Sequence, residues 1–246
     1  MPRLSPNRTR PRKRSEIIAR EIASYIIEKQ LPEGAVLPTE RDMVDAFGVG
    51  RVTLREALRL LETRGVLTVR PGPRGGPIVR RPRPEDLGDA LVFILQFSNA
   101  SFADVIEARE VLEPLITRNA ATRITAEQLA ALEETVTAIL DDLESEEAFH
   151  ENNWEFHQII GEASGNVVLS SSIAALRSIG DGQAIGIQYS PVHRRAVAEA
   201  HQRIVEALRR RSPEDAQQAM ESHLAEAANY WRGKYPHFLA NPVRWV

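Results

Sequence analysis

The 246-residue sequence contains no cysteine, which excludes disulfides, thiolate-held metals and cysteine nucleophiles. It has no apolar run approaching the ~20 residues of a membrane span, and its N-terminus carries no hydrophobic signal region, so a cytoplasmic chain is expected. No His-Glu-x-x-His occurs, and with it goes a common arrangement of zinc hydrolases. What remains is a chain of 43% hydrophobic and 26% charged residues, able to build a sizeable core without covalent staples.

Acid is missing from residues 1–14, which hold Arg3, Arg8, Arg10, Arg12, Lys13 and Arg14. A disordered arm is expected there, either touching DNA or merely solubilising the chain. Residues 1–83 carry 18 Lys and Arg against 9 Asp and Glu, leaving 13 against 25 in the remainder. The net charge of −3 therefore hides a basic part and an acidic part. The first can neutralise phosphates; the second would be repelled by them.

Residues 37–65 read as two short helices joined by a glycine-containing turn. Thr39, with Asp42 three residues on, signals a helix start; Met43, Val44 and Phe47 face one way, and Gly48 ends the helix. The second helix, roughly 51–64, sets Leu54, Leu58 and Leu61 on one stripe and Arg51, Arg55 and Arg59 on another. Gly65 supplies a left-handed stop, and residues 66–69 and 78–79 predict strands around a loop over 70–77. An earlier helix capped by Ser15 carries Ile18, Ile22 and Ile26 and ends near Lys29. The predicted domain, residues 15–79, is a winged helix-turn-helix, followed by a basic proline-stiffened linker over 80–84. A helix apolar on one side and arginine-bearing on the other suits a DNA major groove.

From residue 85 onward only helical periodicity is found. Seven helices are predicted near 85–98, 102–122, 126–144, 146–163, 167–180, 191–210 and 213–233, with Thr125 and Ser212-Pro213 as starts and Gly165-Asn166 and Gly180-Asp181-Gly182 as breaks. The fold class is thus mainly α: three helices plus a small β-hairpin wing, then an all-α bundle of about seven helices over 85–234. A tail over 235–246 is expected to pack over the surface or a neighbouring subunit. Several bundle helices place a polar residue where the stripe should be apolar. Arg109 interrupts Phe102, Val105, Leu112 and Ile116; His201 lies among Val197, Ile204 and Leu208; His223 lies with Met220, Ala227 and Tyr230; Asn153 and His157 are one turn apart. Burying that many polar groups unpaired costs several kcal/mol, so they are expected to converge on something, and converging imidazoles suit Zn²⁺ or Ni²⁺.

The run Leu37-Pro38-Thr39-Glu40-Arg41, the stretch 49–58, the stretch 107–114, Phe156-His157 with Ser164-Gly165-Asn166, His201 and His223 together resemble the GntR superfamily of bacterial transcription factors. The second half is similar to the all-helical FCD effector domain of its FadR subfamily. The resemblance implies DNA contacts at Arg41, Arg51, Thr53, Arg55, Gly75 and Gly76, to which Arg70 and Arg74 add phosphate contacts from the wing. It implies a divalent metal held by Asn153, His157, His201 and His223, with Arg109 clamping a small carboxylate effector. It further implies a homodimeric regulator, most often a repressor, on a palindromic DNA operator.

Three positions depart from the family pattern. Gly50 stands where Ser or Thr is usual, which removes a helix cap and a phosphate donor. Val52 replaces a small polar residue but retains the ability to touch a thymine methyl. Asn153 replaces the commoner Asp, so the ligand set is all-neutral and is expected to bind metal more weakly and to depend on an anionic effector for completion. Two alternatives stay open, a regulator sensing metal alone and a metal-dependent hydrolase. The second is disfavoured because neither His157 nor His201 has a general base within a turn.

Overall fold

The structure, a computed structural model, describes residues 13–72, 75–179 and 187–244, and the chain divides into two compact units, Met1–Asp86 and Leu87–Val246. Arg74, most of the N-terminal arm and the break at Gly180-Asp181-Gly182 lie outside the described residues.

The first unit contains α1 (Arg14–Glu28), α2 (Glu40–Phe47), α3 (Arg51–Thr63) and an antiparallel hairpin of β1 (Leu67–Arg70) and β2 (Gly76–Val79). Its core is the apolar stripes read from the sequence: Ile18, Ile22 and Ile26 of α1 meet Leu54, Leu58 and Leu61 of α3, with Met43 and Leu67 closing the ends. Each such fully buried side chain contributes about 1.5–3 kcal/mol of transfer free energy. The Thr39 hydroxyl accepts from the Asp42 amide to start α2, and Gly48 ends it at φ 59°. That left-handed turn swings α3 across α2 at little steric cost.

Two local expectations are corrected. Ser15 is not a cap: α1 begins at Arg14 after an uncapped Lys13, and Ser15 is buried inside the first turn. Capping is worth about 1 kcal/mol, less than the packing that fixes where α1 lies on α3. The wing strands include Arg70 and Gly76, which pair in register and shorten the loop. The hairpin closes so tightly that a Cβ on Gly75 would collide with the Arg70 carbonyl oxygen. Gly75 is therefore required by the turn itself.

The second unit is helical. It holds α4 (Pro84–Phe97, begun at the end of the first unit), α5 (Phe102–Ala121), α6 (Ala126–Asp141), α7 (Glu146–Ala163), α8 (Val167–Ile179), α9 (Pro191–Arg209), α10 (Pro213–Lys234) and a short α11 (Pro236–Leu239). Capping boxes at Ser101 and Thr125 and proline at the first position of α9 and α10 set the starts. α6 stops three residues before 144 because Asp142 leaves helical geometry and its carboxylate accepts from the Ser145 amide, preparing the start of α7. Residues 235–244 pack on this unit: Phe238 lies 4.5 Å from the Phe102 ring, and Val243 is fully buried. α5 packs against α7, α8 and α10, while α9 packs against α6 and α10. The polar residues that interrupt the stripes of α5, α7, α9 and α10 consequently meet in the interior.

Candidate effector site and DNA-reading face

On the first unit, α3 buries Leu54, Ala57, Leu58 and Leu61 and leaves Arg51, Val52, Arg55 and Arg59 exposed. Arg41 at the start of α2 and Arg70 at the end of β1 are exposed, and Thr53 is half-buried. Five of the expected DNA contacts, Arg41, Arg51, Thr53, Arg55 and Arg70, thus belong to one helix-turn-helix and its wing, together with Gly75 and Gly76 of the hairpin. No side chain caps the α3 N-terminus at Gly50. Arg55 is not free: its Nε donates to Glu40 Oε2 at 2.8 Å. The Val69 amide donates to Glu62 Oε1 at 2.9 Å, tying the wing to the recognition helix.

The interior of the second unit holds an ionic network that sequence reading found only in part. Arg109 of α5 donates through Nε to Glu113 Oε1 at 2.7 Å, one turn further along the same helix. The other oxygen of Glu113 stands 2.5 Å from His157 Nδ1 of α7. Arg177 of α8 brings Nη1 to 3.9 Å from Glu113 Oε1, and its Nη2 donates to the Asn153 carbonyl at 3.2 Å. Glu113 is 3% exposed, Arg109 8% and Arg177 7%. Burial alone would raise the Glu113 pKa, but Arg109, His157 and Arg177 outweigh it and hold the carboxyl ionised, well below its ordinary range. Burial, with Arg177 next in weight, lowers His157 to about 4 despite the attraction of Glu113. An ionised Glu113 beside a neutral imidazole puts the proton on His157 Nδ1 and leaves Nε2 as the acceptor, with its lone pair.

That lone pair faces the other two histidines. His223 Nε2 of α10 lies 3.4 Å from His157 Nε2, and one ligand atom from each of His157, His201 and His223 falls within 4.8 Å of the others. His201 of α9 is fully buried and stacks on Phe156 at 3.7 Å, yet among the described residues neither ring nitrogen has a hydrogen-bond partner. Burial keeps His201 and His223 neutral, their pKa values far below the usual imidazole value. Neutral, buried, convergent imidazoles, one oriented by a carboxylate, have the chemistry of a divalent-metal ligand set.

Beside the imidazoles is a cavity of about 50 Å³, walled by Arg109, Asn153, His157, Arg177 and His223 together with Phe149, His150, Trp154, Tyr189 and Trp231. It has room for a few water-sized groups. The sequence-predicted site residues Arg109, Asn153, His157 and His223 all line this cavity, and His201 adjoins the other histidines from behind. Reading the sequence missed Glu113, Arg177 and Tyr189. Glu113 and Arg177 did leave a signal, each four residues from a residue of its buried face, Arg109 and Ile173. Tyr189 lies outside any helix and left none; its hydroxyl accepts from Trp231 Nε1 at 2.7 Å.

Comparison with known proteins decides the family. The model of the bacterial regulatory proteins of the gntR family matches residues 14–74, and that of the FCD domain matches residues 104–226. The chain belongs to the GntR family of bacterial transcription regulators, with an FCD effector domain. The HTH-type transcriptional repressor NanR of Escherichia coli K12 is 29% identical over 232 residues, spanning 91% of this chain and 88% of that protein. NanR of Cronobacter sakazakii is 29% identical over 234 residues, 90% of this chain and 86% of its own. The solved structure of Streptococcus agalactiae GntR superposes with a TM-score of 0.70 at 29% identity, covering 88% of this chain and 99% of that one. Both NanR relatives are named as transcriptional repressors. Among the described residues no helix is long and apolar enough to cross a membrane.

The buried histidines of this regulator make a pH prediction for the metal-free protein. His157 takes its proton near pH 4 when folded and near 6.5 when unfolded, so between those values the unfolded chain binds more protons. Stability is then flat above pH 6.5 and falls on acidification, by roughly 1 kcal/mol per pH unit for each such histidine. His201 and His223 act with the same sign, and Glu113 adds to the loss below its ordinary range. Urea unfolding of the chelator-treated chain at pH 7.5 and 5.5 checks this; equal midpoints would contradict the burial of the cluster.

Proposed function

We propose that this GntR-family protein is an effector-responsive repressor that binds a palindromic operator as a homodimer and is released when a small carboxylate enters the helical unit. The observation that carries the reading is the trio His157, His201 and His223, neutral and convergent, beside a cavity walled by two guanidinium groups. The residues fit the divalent metal implied by the family resemblance. His201 has two buried nitrogens without partners among the described residues, a state that costs about 1–3 kcal/mol per group unless something binds there. The three histidines and Asn153 would hold the ion, Zn²⁺ or Ni²⁺ by ligand type, and it would supply a fixed positive charge for a carboxylate. Glu113 fixes the tautomer of His157, and Arg109, which interrupts the apolar stripe of α5, places a guanidinium group on the cavity wall that suits an anion and favours an organic effector over metal alone.

With an all-neutral ligand set, metal and carboxylate are expected to bind with positive coupling, each raising the affinity of the other by the same factor. A thermal-shift screen of small organic acids, with Zn²⁺ or with EDTA, tests the reading. An acid should raise the melting temperature far more with Zn²⁺ than with EDTA, and equal shifts would overturn the coupling. On the DNA side, Arg51→Ala is expected to weaken operator binding by ~1–3 kcal/mol if the guanidinium forks onto a base. Fluorescence anisotropy at fixed salt measures it, and unchanged binding would remove Arg51 from the contact surface. The repressor sense follows the name of the NanR relatives.

A further inference from the structure

A carboxylate is out of place on a surface that must approach phosphates, yet Glu40 sits at the start of α2 with its side chain on Arg55 of the recognition helix. The pair joins residues fifteen apart in sequence, across the helix-turn-helix, at 2.8 Å, with Arg55 65% exposed and Glu40 31%. So exposed an ion pair adds little stability, because water screens it. Stability does not explain it. Its geometry does something else: Glu40 engages Nε of Arg55, and a guanidinium bound there keeps its two outer nitrogens for a second partner, in the planar fork that matches guanine O6 and N7 or a phosphate. A long arginine that is already oriented loses less rotamer freedom when it docks.

We propose that Glu40 is a specificity-determining residue of the DNA-reading head, acting through Arg55: it presents the Arg55 fork to its cognate partner and repels duplexes that do not engage that fork. Where Arg55 meets its cognate partner, the shared guanidinium bridges the two acceptors and offsets the repulsion. On any other sequence, the Glu40 charge faces phosphates without that compensation. Glu40 thus strengthens cognate binding and weakens non-cognate binding at once. The proposal rests on the α3 face being the reading face, and its test separates the two.

The test uses the full-length chain. Duplexes selected by the protein from a random pool supply the cognate probe, and a scrambled duplex of equal composition supplies the non-cognate one. Glu40→Ala is expected to lower cognate affinity by ~3–10-fold, a partial loss of one bidentate contact. The same variant is expected to raise non-cognate affinity by ~2–5-fold and to steepen the salt dependence by about one unit of log K per log salt, because one fewer negative charge opposes the phosphates. Glu40→Gln keeps an acceptor for Nε and drops the charge, so it should recover most of the cognate affinity while non-cognate binding stays raised. A purely structural role would move both affinities down together. Equal factors on the two probes, or an unchanged salt slope in Glu40→Gln, overturn the proposal. If Glu40→Ala does not fold, the ratio and slope of Glu40→Gln decide alone. A pool that yields no preferred duplex would overturn the reading-face assignment itself, and the role of Glu40 with it.

Discussion

Glu113→Gln is expected to destabilise the helical unit by about 3–5 kcal/mol and, separately, to weaken metal binding by ~10–100-fold. The first effect follows from charge. Glu113 is the carboxylate between Arg109 at 2.7 Å and Arg177 at 3.9 Å, and all three are buried. Neutralising it leaves two guanidinium groups in the interior without their shared anion. The second effect follows from hydrogen-bond directionality. The carboxylate accepts on both oxygens, from Arg109 Nε and from His157 Nδ1, whereas an amide has one acceptor and must turn its NH₂ toward one of those donors. If His157 loses its acceptor, its proton can move to Nε2, the atom that faces His223. A metal-binding lone pair is thereby lost with no ligand residue changed. Urea unfolding in chelator reads the first effect, and calorimetric titration with Zn²⁺ reads the second. A variant with unaltered unfolding and unaltered Zn²⁺ affinity would reduce Glu113 to a bystander.

The reading head was largely legible in the sequence because each of its signals is local. The alternation of leucine and arginine stripes in α3, the Thr39 cap and the left-handed glycines Gly48 and Gly65 each depend on neighbours within a turn. The helical unit was legible in outline for the same reason, and His201 and His223 stood out as polar interruptions of clean apolar faces. Glu113 did not. It lies in α5 near Glu107 and Glu110, so it reads as one more solvated acid, and only the covering of α5 by α7, α8 and α10 buries it. The long-range pair of Glu40 and Arg55 was invisible for a related reason, since the turn at Gly48 brings the start of α2 to the second turn of α3. Burial of Val243 and the docking of Phe238 on Phe102 are tertiary facts with no periodic signature, which is why residues 235–244 read as a tail.

His201→Phe is expected to change the sign of its effect with metal. In chelator, the variant should be more stable than the parent by about 1–3 kcal/mol, because it removes a buried imidazole whose two nitrogens lack partners while keeping a ring to stack on Phe156. With Zn²⁺ at about 100 times its dissociation constant, the parent gains roughly 3 kcal/mol by mass action and the variant, one ligand short, gains far less, so the order of stability inverts. Phenylalanine is larger than histidine, and strain from that extra volume opposes the first effect. His201→Leu, with less ring volume, controls for it. Melting curves of parent and both variants, with EDTA and with Zn²⁺, give the comparison. The decisive contrary result would be that both variants are less stable than the parent in EDTA and gain as much as the parent from Zn²⁺. That outcome would make His201 a packing residue of α9 and leave the site with His157, His223 and Asn153. The inversion, by contrast, would mean that the chain retains an imidazole that weakens its metal-free fold because that imidazole serves the bound state, the trade expected of a buried ligand-binding site.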